Sequence, residues 1–403
     1  MILDTLPQCI NQVDVCLGAT SLGLLTKGSV HYYQPLQTNQ HVSLTMTRAT
    51  LDGYASGALH PIFAQNLPEG FNRRFIAERL ARYAKVDDMY LLALQGSQGI
   101  GMLAYQSEFN LPDTDPVGLT EILNYNGQEP LFPQLLERYY LRNSLSGVQP
   151  KVSIHASERT VEQKNLIVKT YDSEFPLLTV NEYVCMKAAE HCGLEPPRVY
   201  LSENLETFVV ERFDKPEGTL LGYEDFTTLM KRPNSPDSKY KGSYEALLEA
   251  TLLYTKSYDE LLKMYRYIVF NTLIGNGDAH LKNFAIQYTP DMQRVFVSPP
   301  FDITHTLIYD TIDNKMALKL KGSKEFPTKK QLLDLAIAKS FKLRNAEKII
   351  DATAEGILDY VSSSEAIYLF DGLKESICQS VSRVMVTQAL AKPYRHDKKK
   401  KFD

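Results

Sequence analysis

Residues 275–283, GNGDAHLKN, hold the two side chains best suited to chemistry: the acid Asp278 and the amide Asn283, with four residues between them. A carboxylate beside a hydroxyl can take its proton as the oxygen attacks, and an amide oxygen can ligate a divalent cation. That combination suits phosphoryl transfer, in which base and cation address one phosphorus from converging sides. An irregular loop can present the two groups in this way, whereas a helix would not. The same stretch also reads as a plain turn, so the pair needs further partners.

A second acid, Asp302 in PPFDIT, follows 24 residues after Asp278 (302 − 278), at the end of an expected strand with room for a β-hairpin between. There its carboxylate and the Asn283 amide could share one magnesium ion, with Phe301 packing behind as an anchor; a strand-end turn is the plainer alternative. Lys169 stands in NLIVKT beside Leu166, Ile167 and Val168, where an ammonium is costly unless it meets an anion such as phosphate. An edge-strand lysine reaching out to water would satisfy the same pattern. Glu182, near the start of the next helix, either pairs with Lys169 or favours that helix N-terminus. VVERFDK ends a strand at Glu211 to Phe213, where an adenine could read backbone groups rather than side chains. SLSGVQPK, residues 144–151, has hydroxyls but not the usual glycine spacing of a phosphate loop. Gly147 would admit close backbone approach, and the N–H groups of Ser146, Gly147, Val148 and Gln149 could form an anion nest.

The elements that must carry these residues follow from periodicity. Short strands alternate with turn residues in VDVCLGATSLGLLTKGSVHYY, HVSLTM and YLLALQGSQGIGMLAY, while Phe75, Ile76, Leu80 and Tyr83 recur at helical spacing. The polar stretch SEFNLPDTDPVGLTE reads as a linker. KVSIHAS, KNLIVKT, PRVYLS and TFVVERFD form a second set of strands around the helix NEYVCMKAAEHCGL, with Asn181 placed as its cap. From YEDFTTLM onward the pattern turns helical, and SYDELLKMYRYIVFNTLI is its longest periodic run, ended by the glycines of the Asp278 loop. FAIQYT and RVFVSPPFDI supply the hairpin before Asp302, three helices follow from about 329 to 391, and KPYRHDKKKKFD is a charged tail.

A chain of 403 residues exceeds the usual size of one core, so two or three units are expected. Its formal charge of −4 leaves no overall field to attract nucleic acid or acidic lipid. Five scattered cysteines without a C-x-x-C pair point away from zinc and towards a reducing cytoplasm. No apolar run approaches the roughly 18–20 residues that cross a bilayer, so no membrane role is expected.

Taken in order, the parts run loop, strand, lysine, helix, hinge strand, long helix, Asp/Asn loop, hairpin, second acid. With PIFAQNLPEGFNRRFIAERL near the N-terminus, they resemble the HipA-type serine/threonine kinases, toxins of bacterial toxin–antitoxin pairs. The resemblance implies an α+β, bilobal, protein-kinase-like fold. It would comprise an N-terminal subdomain at 1–110, a mixed N-lobe with the phosphate loop at 111–215, a mainly helical C-lobe at 216–391 and a basic tail at 392–403. It further implies ATP and Mg2+ as cofactors, Asp278 as base, Asn283 and Asp302 on the metal, and the 146–149 loop, Lys151 and Lys169 on phosphates. Glu211 and Phe213 would meet adenine, and His280 or Lys282 would neutralise the γ-phosphate, unless His280 merely shapes the loop. Ser144 and Ser146 fall where the family phosphorylates itself. Implied partners are a protein substrate such as an aminoacyl-tRNA synthetase and a HipB-like helix-turn-helix antitoxin, with DNA reached only through the latter. The chain lacks G-x-G-x-x-G, H-R-D and D-F-G, so control through an ordinary activation loop does not carry over. A non-catalytic co-repressor scaffold and a kinase for lipids or small molecules are the rival expectations.

Overall fold

The computed structural model describes residues 2–37, 41–46, 53–108, 116–142, 151–157, 163–216, 219–233, 235–339 and 341–386, with the backbone alone at 2, 142, 151–157 and 163–165. The 144–149 part of SLSGVQPK, residues 109–115 of the expected linker and the charged tail lie outside the described residues, and the linker's end already belongs to the helix Leu119–Leu123.

Alternation builds the first sheet. In β1 (Gln12–Leu17), Val13 and Val15 turn inward while Gln12 and Asp14 face out. β2 (Thr20–Lys27), β3 (His31–Pro35), β4 (Tyr54–Ser56) and β5 (Leu103–Gln106) complete an antiparallel sheet in the order β4-β3-β2-β1-β5. Two expected strands are missing from it. HVSLTM is irregular because its backbone and hydroxyl turn to a distant acid: Glu224 accepts from Leu44 N–H at 2.7 Å and from Ser43 Oγ at 2.9 Å. YLLALQ lies instead in the helix Asp88–Gln95, capped by Asp87 accepting from Tyr90 N–H at 3.0 Å. All its residues from Met89 to Gln95 are buried, and an apolar run buried on every side has no period to separate helix from strand.

The second sheet, β6 (Lys151–Ser157), β7 (Gln163–Lys169), β8 (Val199–Leu201) and β9 (Phe208–Glu211), is antiparallel in the order β6-β7-β9-β8. Leu166, Val168 and Val209 pack outward against Leu135 and Leu136 of the helix Leu131–Tyr139. The helix Leu178–His191 packs on β8 and β9. It begins before Asn181, after a left-handed Leu177 at φ 55, so Asn181 is not its cap. Asn181 is instead buried, donating to His305 O at 2.9 Å and accepting from His305 N–H at 2.7 Å.

The rest is mainly helical, with Tyr244–Thr255, Tyr258–Ile274, Lys329–Ile337, Ala346–Ser363 and Leu373–Met385 sharing one core with Leu178–His191. Residues 223–225 of the expected helical YEDFTTLM belong to a strand, β10 (Gly222–Asp225), which pairs with β11 (Ala285–Tyr288); β12 (Val295–Val297) completes this third sheet. The long helix Tyr258–Ile274 is capped by Ser257, which accepts from Glu260 N–H, and stops at Gly275 with φ +82. Only glycine fits there, since an added Cβ would also lie 2.7 Å from His305 Nδ1.

Candidate active site

One cleft between the second sheet and the helical lobe brings most of the singled-out residues together. Lys169, Glu182, Glu211, Phe213, Asp278, His280, Lys282, Asn283, Phe301 and Asp302 all line it.

The Asp278 loop is built by the end of the long helix. Asn276 donates its amide to Asn271 Oδ1 at 2.7 Å and accepts from Asp278 N–H at 3.1 Å, which turns Asp278 into the cleft. Thr306 Oγ1 accepts from Gly277 N–H at 2.8 Å, and a side chain at 277 would collide with Lys315 O and Thr306 Oγ1. The Asp302 segment is pinned from the same helix: Tyr267 donates to Phe301 O at 2.9 Å and accepts from Phe301 N–H at 3.1 Å. Asp302 itself is held at φ +58, an uncommon backbone for a residue with a side chain.

At the end of β7, Lys169 donates to Glu182 Oε1 and, at 2.5 Å, to Asp302 Oδ1. The lysine is 5% exposed and the glutamate 2%, so neither reaches freely into water. Burial by itself would lower the Lys169 ammonium, but Asp302 and Glu182 outweigh it and hold the group above its usual range. Asp302 Oδ2 accepts from Asn283 Nδ2 at 2.7 Å. The expected orientation of Asn283 differs: its amide oxygen, foreseen as facing the cleft, accepts from His280 N–H at 3.1 Å. Even so, a carboxylate that draws an ammonium to one oxygen and an amide N–H to the other has the donor chemistry for a hard cation, and Asn283 keeps a second lone pair.

At the far end, Phe213, Tyr223 and Phe301 form an aromatic wall, with Phe213 and Phe301 centroids 5.4 Å apart. Phe301 therefore lines the pocket and does not merely pack behind Asp302. Not every backbone group of the strand end is open: Glu211 N–H donates to Arg198 O, and Phe213 O accepts from Gln287 at 3.2 Å. The Phe213 N–H has no hydrogen-bond partner among the described residues.

Two residues expected at the phosphates are otherwise occupied. Burial first, and Lys239 second, hold the His280 imidazole well below its usual range, so it is neutral near pH 7. Lys282 is paired to Glu69 at 2.5 Å. Lys151 opens β6, with its side chain outside the described residues, as are Ser144, Ser146, Gly147, Val148 and Gln149.

Sequence reading missed several lining groups. Gln65, Glu69 and Ile100 come from the first unit, more than a hundred positions before the Asp278 loop, and no local pattern marks them. Lys239 and Tyr240 sit on the 3-10 turn Pro236–Tyr240, inside a polar segment without periodicity. The Tyr240 hydroxyl donates to Asp278 Oδ1 at 3.4 Å, and its ring meets His280 edge-on at 5.4 Å. Arg212 and Asp214, just beyond the end of β9, form a buried fork that no local pattern marks.

The class that emerges is a two-lobed, kinase-like α+β fold with acids, an amide and a buried lysine–glutamate pair around its cleft. The HipA chain in a solved Shewanella oneidensis complex of HipA, HipB and operator DNA shares this fold, with a TM-score of 0.67 over 92% of this chain and 97% of that one, at 19% identity. Family models match the HipA N-terminal domain at residues 13–106 and the HipA-like C-terminal domain at 143–361. The latter alone spans more than half of the sequence, and the chain belongs to the HipA family. A Sinorhizobium fredii protein named as a kinase, Y4mE, is 28% identical over 350 residues, covering 77% of this chain and 80% of its own. The serine/threonine-protein kinase toxin HipA of Shewanella oneidensis is 22% identical over 299 residues, 67% and 68% of the two chains. Among the described residues, no helix is long and apolar enough to cross a membrane.

Proposed function

We propose that the chain is an ATP-dependent serine/threonine protein kinase acting as the toxin of a toxin–antitoxin pair. The observation that carries this reading is the linkage of Lys169 to both Glu182 and Asp302, with Asn283 on Asp302 and Asp278 in the same cleft. A structural ion pair alone has no need of a third, cleft-facing acid held in a left-handed backbone.

In the transfer, a substrate hydroxyl oxygen forms a bond to the γ-phosphorus as the bond from that phosphorus to the bridging oxygen of ADP breaks. Asp278 takes the hydroxyl proton, and the Tyr240 hydroxyl steadies its carboxylate. Lys169 orients the phosphates, and Glu182 fixes Lys169. The aromatic wall and the open Phe213 N–H receive the adenine ring. Asp302 and Asn283 would hold magnesium, which supplies neutralisation of phosphate oxygens.

We place self-phosphorylation at Ser144 or Ser146, where about two added negative charges beside a triphosphate would oppose its binding. The substrate is a protein of the translation machinery such as an aminoacyl-tRNA synthetase, and the partner is a HipB-like helix-turn-helix antitoxin, in line with the complex formed by the Shewanella oneidensis relative. Asp278→Asn is expected to keep nucleotide binding while phosphate transfer from labelled ATP drops by at least about a hundredfold. Equal transfer by both proteins, or none by either, would sink the assignment, the latter favouring a scaffold.

A further inference from the structure

Besides Arg212, which is forked onto Asp214, four basic side chains line the cleft, and three of them are held by other groups. Lys169 is joined to Glu182 and Asp302. Lys282 is joined to Glu69 at 2.5 Å, with the buried Asp225 also near its charge. His280, two residues after Asp278, is buried with its ring edge-on against Tyr240. The fourth, Lys239, is only 7% exposed, yet its ammonium makes no ion pair or hydrogen bond among the described residues. Among the described residues its Nζ meets only the ring of Tyr240, 5.1 Å from the centroid. A ring face is a weaker counterpart for an ammonium than a carboxylate or phosphate.

Lys239 lines the same cleft as Asp278, Asn283 and Asp302. Its neighbour Tyr240 reaches Asp278 Oδ1 at 3.4 Å and His280 edge-on at 5.4 Å, so the 3-10 turn Pro236–Tyr240 sits directly on the Asp278 loop. A nearly buried cation left without an anion among the described residues, lining the cleft next to the tyrosine that meets Asp278, is an incomplete ion pair.

We infer that Lys239 is the cation that binds the γ-phosphate of ATP, taking from a separate element the role that His280 and Lys282 cannot fill. The inference rests on the kinase reading above. While the γ-phosphorus passes from the bridging oxygen of ADP to the substrate hydroxyl oxygen, Lys239 keeps all its protons. It offers N–H donors to the equatorial oxygens, and the substrate proton still goes to Asp278. Placing this lysine on the 236–240 turn also makes the recognition of ATP over ADP depend on a segment outside the Asp278 loop.

The test is equilibrium binding, by titration calorimetry with magnesium, of ADP and of an ATP analogue whose β–γ bridge is nitrogen. The unaltered chain is expected to prefer the analogue by about tenfold or more, the scale of one charge-assisted contact. Lys239→Met, which keeps the aliphatic stem on Tyr240, is expected to bind ADP as before and to lose that preference. Lys239→Arg should retain most of it. Preserved discrimination in Lys239→Met overturns the inference alone, and so does a parallel loss of both nucleotides, which would mark a structural lysine. Failure of the unaltered chain to bind either nucleotide overturns the kinase reading and this inference with it.

Discussion

Lys169 and Glu182 form a deeply buried charged pair in the cleft, with side-chain exposures of 7% and 3%. Such pairs seldom add net stability, because desolvation offsets most of their attraction, but removing one partner leaves a buried charge exposed to the full cost. Glu182→Gln is therefore expected to destabilise the fold by about 2–3 kcal/mol in urea denaturation, Asp302 remaining as a second partner. The double change Lys169→Met with Glu182→Leu should return stability close to that of the parent while nucleotide binding stays lost. If the double variant binds nucleotide normally, the pair is only structural. Lys169 in an apolar strand was legible in the sequence, and so was its possible partner. Lys239 was not, since a lysine in a polar turn looks like any solvated one until its burial is known.

At the level of elements, His305 ties together three pieces that frame the site. Its Nδ1 is 2.6 Å from Ile274 O at the end of the long helix, and its Nε2 is 2.6 Å from Ser376 Oγ on Leu373–Met385. Asn181 grips its backbone from Leu178–His191. Burial pushes the imidazole down to about 4 from an ordinary value of 6.5, with the Ile274 carbonyl opposing. A group whose folded value is depressed contributes stability fully above 6.5 and loses it as the pH falls through about 4. The stability gap between the parent and His305→Gln is thus expected to be widest near neutrality and to shrink by about 3 kcal/mol towards pH 4, read from urea midpoints at each pH. A gap that is constant with pH would contradict it. Periodicity revealed the long helix and its glycine stop, and alternation revealed β1 to β3. It failed for Asp88–Gln95, whose faces are all buried, and for residues 223–225, which become a strand only because β11 lies alongside.

Across the whole molecule, the first unit is docked onto the strand end that would meet adenine. The Arg212 side chain, fully buried, forks onto Asp214 and donates to Gln98 O and Gly99 O at 2.7 Å each, while Asp214 accepts from Gly101 N–H at 2.8 Å. Burial alone would raise the Asp214 carboxyl, but Arg212 holds it below its usual range. This fork seats Ile100 in the cleft, and Glu69 reaches Lys282 from the same unit. Arg212→Met is expected to cost about 3–5 kcal/mol, because it strands Asp214 and two carbonyls, and to weaken nucleotide binding as well. Limited proteolysis should then release a fragment near residue 100; a variant as stable and as protease-resistant as the parent would show that the units dock without the fork.

The order of loop, strand, lysine, helix, Asp/Asn loop and second acid was determined by the sequence alone, because short-range periodicity and turn chemistry are local properties of a chain. With that order came the kinase-like architecture and the candidates Asp278, Asn283, Asp302 and Lys169. Charge states and partners were decided only by the tertiary structure. His280 is neutral through burial, Lys282 is taken by Glu69 from a remote unit, and Asn283 turns its oxygen to His280, while Lys239 keeps an unanswered charge. The physical reason is that desolvation and ion pairing act through space between segments far apart in sequence, so no local pattern can encode them.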